Sequence, residues 1–265
     1  HRSRPGVLDL YKWRYNSTTM TMTSNSGGIQ QKKKYLANTG LRYVSQFINV
    51  NEGNELSCPL GGYQNLEEAE YVVSMYQYLR LLGHPGRSIV ILTTYEEQSN
   101  LIKDIMNLRC VDSPHFGKPN DVTVSLYLNI YIYFISWVGD CFGDLPFFDT
   151  TSIIFFIIFI FQTIEKYVGR ECDIVLLSLV RTTKIPISME SMPDVVSSLS
   201  RAKFGLYLFG KKERYDECYT LTPVMSKYNI IPSKLCLVGG ESHPTSRNVN
   251  EIPRNEACCE VDSML

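Results

Sequence analysis

No G-x-x-x-x-G-K-[ST] occurs in the 265 residues. The chain therefore has no loop of its own to cradle a nucleotide's phosphates and no lysine to grip them. A paired acidic step beside a strand, which would hold the metal of such a site, is missing too. Eight cysteines are present (Cys58, Cys110, Cys141, Cys172, Cys218, Cys236, Cys258 and Cys259), yet none forms a C-x-x-C pair and the spacing fits no zinc template. Reduced thiols of a cytosolic or nuclear protein are the expectation. Charge of one sign is also wanting: 26 Lys and Arg stand against 27 Asp and Glu, a net −1. No global basic field announces nucleic acid, although a local groove is left open. There is no signal peptide and no initiator Met. The chain starts His1-Arg2-Ser3-Arg4 and reads as a fragment of a longer protein.

What is there is a globular composition, 44% hydrophobic and 20% charged, on a length that favours one domain with appendages. His1–Tyr15 mixes basic and aromatic residues and reads as a short helix. Asn16–Gly28 is Ser/Thr/Met/Gly-rich and reads as a mobile loop. Lys32-Lys33-Lys34 is either a solvated face or a localisation or RNA contact. Gln46–Val50 is a short strand and Asn51–Gly62 a polar loop. Leu66–Leu82 is the strongest helix. Asn65 caps it, Glu68 stands at the capping-box position, and Val72, Met75, Tyr76 and Leu79 form its apolar stripe. Gly83 and Pro85 stop it. Ser88–Thr94 is a buried strand, and the next helix carries Leu101, Ile102, Ile105 and Met106 on one face. Asp121-Val122-Thr123 begins another strand. This alternation is the α/β pattern.

Residues 124–162 do not fit that pattern. Their only charges are Asp140, Asp144 and Asp149, with no Lys, Arg or His; taking this −3 from the chain's −1 leaves +2 for the rest. Three readings compete. A membrane span needs about 18 or more apolar residues, and neither run reaches that unbroken or carries a basic flank. A buried hairpin would need a cover the chain hardly supplies. A translated, unspliced intron is the third. Val124-Ser125 can be encoded by GTAAGT and Phe161-Gln162 by TTTCAG, with T-rich codons between. Removing the segment joins Val122-Thr123 to Thr163-Ile164. If the segment is retained, it is an aggregation hazard, being apolar and β-prone.

The stretch Thr163–Gly210 organises the rest. Ile174–Val180 and Gly205–Gly210 are apolar runs, as in buried parallel strands. Ser200-Arg201-Ala202-Lys203 puts a fixed positive charge near a strand end, and in open α/β sheets ligands gather around strand ends. With the I-L-T-T-Y-x-x-Q run ending at Gln98, these residues resemble the motifs of superfamily 1 helicases, in the branch of the nonsense-mediated-decay helicase. Flanking matches, including L-Y-K-W-R-Y, Cys218–Pro223 and Asn229–Pro232, lean toward an intron-binding spliceosomal member.

The resemblance implies an α/β fold: a RecA-like, P-loop-NTPase-type second helicase domain with a mainly parallel sheet and helices on both faces. It divides the chain into an opening segment and mobile loop (1–28), the RecA-like domain (29–238) interrupted by the insert (124–162), and a disordered tail (239–265). Arg201 resembles the arginine finger, catalytic and in contact with nucleotide. A guanidinium suits that role because it is permanently charged and forks onto phosphate oxygens. Arg2, Gly169 and Glu171 resemble further nucleotide contacts, and Thr94 and Thr163 resemble contacts to RNA phosphate. On the residues alone, Thr94 is equally a turn or cap residue, and Glu171 a solvated glutamate. No metal ligand is expected. ATP and Mg are implied for the complete parent and neither for this chain alone, which should not hydrolyse ATP. Implied partners are intron RNA, spliceosomal proteins and the parent's N-terminal RecA-like domain, in the nucleus and with no membrane. Three departures point the other way: Val168 where the family has Gln, Lys203 for a frequent Arg, and Met192-Pro193-Asp194 near a missing arginine pair. With them a second class stays open, a non-catalytic docking module of a spliceosomal or RNA-decay complex.

Overall fold

Near-continuous apolar runs become parallel strands only if both faces of the sheet are covered. That is the arrangement in the computed structural model, which describes residues 3–15, 35–59, 62–110, 112–124, 170–185, 187–190, 192–251 and 258–261. In chain order the strands are β1 (Ser45–Asn49), β2 (Leu56–Ser57), β3 (Tyr63–Gln64), β4 (Ile89–Thr93), β5 (Asp121–Val124), β6 (Cys172–Ser178), β7 (Ala202–Gly210), β8 (Leu235–Val238) and β9 (Cys258–Val261). Five of them make one sheet in the order β1-β7-β6-β4-β5, every pair parallel.

Side chains alternate across it with period two. Val90, Leu92, Val175, Leu177, Leu206 and Leu208 enter one core. Ile89, Ile91, Ile174, Leu176, Tyr207 and Phe209 enter the other. The first is covered by α1 (Pro5–Leu8) and by helices Met192–Leu199 and Thr222–Tyr228. The second is covered by α2 (Leu66–Leu81), α3 (Glu96–Arg109) and the antiparallel β8–β9 pair. The chain thus has the α/β fold expected of it.

α2 starts where its cap directs. Asn65 is extended, at φ −139, and its Oδ1 accepts the Glu68 N–H at 3.1 Å. Glu68 does not complete the capping box. The Asn65 N–H donates instead to Gln98 Oε1 at 2.8 Å, and the Glu68 carboxylate turns inward. Val72, Met75, Tyr76 and Leu79 are fully buried, and Gly83 leaves the helix at φ +95, a conformation that favours glycine. Among the described residues, no helix is long and apolar enough to cross a membrane.

Three stretches differ from expectation. The opening helix is a single turn, and Lys12–Arg14 continues it as a 3-10 turn. The polar loop 51–62 contains β2, which pairs antiparallel with β3. The segment after Gly239, expected to be disordered, is tied down along its described part. Glu241 accepts from Gly40 N–H at 2.7 Å and pairs with Arg247 at 2.5 Å. His243 N–H donates to Leu82 O at 2.7 Å, and β9 pairs with β8. Backbone polar groups near apolar surface need partners, and this segment supplies an acceptor to the 37–42 loop and a donor to the end of α2. The loop read at 16–28 lies outside the described residues. So does the insert, except for Val124, which pairs in register with Thr93.

Candidate functional site

A charged residue written immediately before a parallel strand must sit at that strand's amino end. Arg201 occupies the turn between helix Met192–Leu199 and β7, at the amino edge of the sheet. This is the end opposite to the carboxyl-end crevice where open α/β sheets usually bind ligands. Its carbonyl accepts the Cys172 N–H at 3.0 Å, which places it beside the start of β6. Its guanidinium is half-buried. Nη2 donates to Ser197 Oγ at 2.7 Å and Nη1 to Arg170 O at 3.4 Å. Both acceptors are neutral, so among the described residues no carboxylate is paired with this charge.

Glu171 precedes Cys172, which pairs with Ala202, so Glu171 and Arg201 flank the same step of the β6–β7 ladder. The opening segment docks there as well. Ser3 Oγ donates to Ala202 O at 2.7 Å, Tyr11 Oη to Ser3 Oγ at 2.9 Å, and Arg4 N–H to Lys203 O at 2.8 Å. Arg2, Gly169 and Thr163 lie outside the described residues, but the neighbours Ser3 and Arg170 are both at this edge.

Thr94 is elsewhere. It follows β4 at the carboxyl edge, is buried, and its Oγ1 donates to Leu179 O at 3.1 Å. Tyr215 Oη donates to the same carbonyl at 3.0 Å. The predicted residues therefore fall on two edges, Glu171 and Arg201 at one and Thr94 at the other.

The carboxyl edge carries a network that sequence reasoning missed. Val180 has φ +69, a strained conformation for a β-branched residue. It is held from both sides: its N–H donates to Glu68 Oε2 at 2.8 Å, and its carbonyl accepts from Asn65 Nδ2 at 3.2 Å. Ser178 Oγ donates to the same Glu68 oxygen at 2.8 Å. Burial pushes the Glu68 carboxyl up to about 7, against the hydrogen bonds from Val180 and Ser178 that favour its charged form.

One step further out, Arg181 pairs with Glu55 at 3.1 Å. Its guanidinium lies 3.7 Å from the centre of the Tyr63 ring, and Nη1 donates to Tyr95 Oη at 3.2 Å. Glu55 also accepts the N–H groups of Thr182 at 2.5 Å and Thr183 at 3.0 Å. Burial alone would raise the Glu55 carboxyl, but hydrogen bonds from Thr183, Arg181 and these N–H groups hold it down at about 2. The polar step Arg181-Thr182-Thr183, placed directly after an apolar strand, was the available signal.

Chemically, the amino edge offers a cation with neutral tethers, beside a carboxylate and a docked segment. The carboxyl edge offers a rigid polar rim. Comparison with known proteins agrees with a helicase-type arrangement. A family model described as AAA domain matches residues 2–213. RNA helicase aquarius of Mus musculus is 34% identical over 260 residues, covering 96% of this chain and 14% of that protein. Pre-mRNA-splicing factor cwf11 of Schizosaccharomyces pombe is 28% identical over 238 residues, covering 88% of this chain and 15% of that protein. NFX1-type zinc finger-containing protein 1 of Mus musculus is 26% identical over 153 residues, covering 57% and 6%. The chain thus spans about one seventh of the length of the first two relatives.

Proposed function

The chain belongs to the AAA domain family, and on that premise we propose that it is the C-terminal, ATP- and RNA-binding half of an RNA helicase of the aquarius type acting in pre-mRNA splicing in the nucleus. The observation that carries this reading is Arg201. Its permanent charge stands at the amino edge among neutral acceptors, Ser197 Oγ and Arg170 O. A guanidinium so placed can turn to a phosphate without breaking an ion pair. Transfer of a γ-phosphoryl group develops charge on oxygens that a positioned arginine stabilises.

The residues present fit one side of a triphosphate site. Arg201 would meet the γ-phosphate, with Gly169 and Glu171 as further nucleotide contacts. Arg2 would join them through the docking of Ser3 on Ala202. ATP with Mg supplies the reacting phosphoanhydride when bound, held by a phosphate loop from the parent's preceding domain. The chain alone is proposed to be inactive for want of that loop. Thr163 is proposed as a contact on the RNA side, and Thr94 as a residue of that side whose Oγ1 would have to leave Leu179 O to reach a phosphate. Intron RNA and spliceosomal proteins are the proposed partners. Residues 124–162 are proposed to be a translated intron, which transcript reads across the locus would test; spliced messages that retain it as the dominant form would refute this.

A second reading draws on Val168, Lys203 and the Met192-Pro193-Asp194 step: a docking module whose cleft no longer turns over. ATP hydrolysis by the full-length parent separates the two. Arg201→Ala should lower the rate by about 10³-fold or more, whereas equal rates in wild type and variant would favour docking.

A further inference from the structure

Arg4 is 7% exposed and is fixed against β7 by its N–H to Lys203 O, 2.8 Å away. Its guanidinium carbon lies 5.0 Å from the centre of the Phe204 ring. Nε and Nη1 are buried and, among the described residues, have no hydrogen-bond partner. A buried cation with unmatched donors is costly, and folded proteins rarely leave one without a purpose.

This side chain lines a cavity of about 350 Å³, whose walls include Thr39, His84, Asp173, Phe204 and His243. The two imidazoles stack at 4.4 Å between centroids, tilted by 34°. Burial lowers the His84 pKa to about 4, so that ring is neutral at pH 7 and adds no charge of its own. Phe204 is 39% exposed and offers an aromatic surface next to the cation. Asp173 is the one carboxylate on the wall among the described residues. Neither Arg201 nor Glu171 lines the cavity.

We propose that this cavity is a second binding site, distinct from the nucleotide cleft, for a phosphate monoester that carries a ring. Arg4, which lines the cavity, takes the phosphate with its guanidinium, and Phe204 and the paired imidazoles take the ring. The volume falls in the range of small-molecule sites, which starts at about 300 Å³. A charged guanidinium rewards a dianionic phosphate over a neutral nucleoside. Stacking on aromatic faces rewards a base over bare phosphate. The same chemistry is presented by a free nucleoside monophosphate and by the 5′-phosphorylated end of an RNA strand.

Calorimetric titration of the full 265-residue chain tests this with inorganic phosphate, adenosine, AMP, and a trinucleotide with and without a 5′-phosphate. AMP is expected to bind at least tenfold more tightly than adenosine or phosphate. Arg4→Lys, which keeps charge and bulk but loses the planar fork, is expected to weaken AMP at least tenfold. Asp173→Asn is expected to tighten it severalfold, and Arg201→Ala to leave it unchanged. A phosphorylated trinucleotide that outbinds AMP assigns the site to RNA ends; the reverse order assigns it to free nucleotides. Equal affinity for AMP and adenosine, no binding of any probe, or loss of AMP binding in Arg201→Ala overturns the proposal. Because Arg201→Ala is also the test of the nucleotide cleft, failure of one site leaves the other standing.

Discussion

The two edges of one sheet treat their polar groups in opposite ways. At the carboxyl edge, Glu68, Asn65, Gln98, Arg181 and Glu55 satisfy one another and the backbone, and even the strained Val180 is gripped by two hydrogen bonds. At the amino edge, among the described residues, Arg201 has neutral partners and Arg4 has two buried nitrogens with none. Groups that are spent on one another hold a shape, and groups left over await something from outside. On the reading proposed for Arg201, the contrast separates an edge whose charges are matched by one another from an edge whose cation is held by neutral groups.

The largest effect that would sharpen the contrast is catalytic without being structural. Arg201→Ala should leave the unfolding free energy of this chain in urea nearly unmoved, within about 0.5 kcal/mol, while costing the parent's ATPase about 10³-fold. A large loss of stability in the variant would make Arg201 a scaffold residue and dissolve the difference between the edges. Next, Glu68→Ala should cost about 3 kcal/mol in urea unfolding, because it removes the acceptor for both the Val180 N–H and Ser178 Oγ in a fully buried place. A loss under about 1 kcal/mol would show that the network is slack.

The third prediction concerns pH. Glu68 keeps its proton in the folded state up to about 7, while the unfolded chain releases it near 4.5. Stability should therefore fall as pH rises from about 4.5 to 7, by at most about 1.4 kcal/mol per pH unit. Glu55 has the opposite sign. With a folded value near 2, its contribution is present above about 4.5 and lost as pH falls toward 2. Glu68→Gln should flatten the upper slope and Glu55→Gln the lower. Unfolding midpoints measured across both windows would expose a slope that survives its own substitution. The smallest effect is Arg181→Lys, which keeps the charge beside Glu55 but loses the flat stacking on Tyr63; a destabilisation of about 1 kcal/mol is expected by thermal melting.

Much of the scaffold was legible because its signals are local. The apolar runs at Ile89, Ile174 and Leu206 specify strands buried on both faces, and Asn65 with the Val72, Met75, Tyr76 and Leu79 stripe specifies α2 from one window. The carboxyl-edge network was not legible, since Glu55, Tyr63, Glu68, Tyr95, Ser178 and Arg181 meet only after four segments have folded together. β2 and β3 are two residues each, too short for a period to emerge. The tail lacks apolar alternation and is held by hydrogen bonds to Gly40 and Leu82 that no spacing encodes. Arg201 was readable as a charge near a strand end. Which end follows from its position before β7, and the usual rule about carboxyl ends obscured that.

The pairing of β1 with β7 sets a timetable for the ribosome. Ser45 finds its ladder partner only when Leu206 has been made, and at about 5–20 residues per second that wait is on the order of ten seconds. Meanwhile a strand that buries Phe47 and Ile48 stands at the exit tunnel with both flanks unpaired, the situation chaperones evolved to shelter. Nascent chains arrested before Gly210 should accordingly be the most protease-sensitive, and every codon added between Val124 and Thr163 lengthens the exposure.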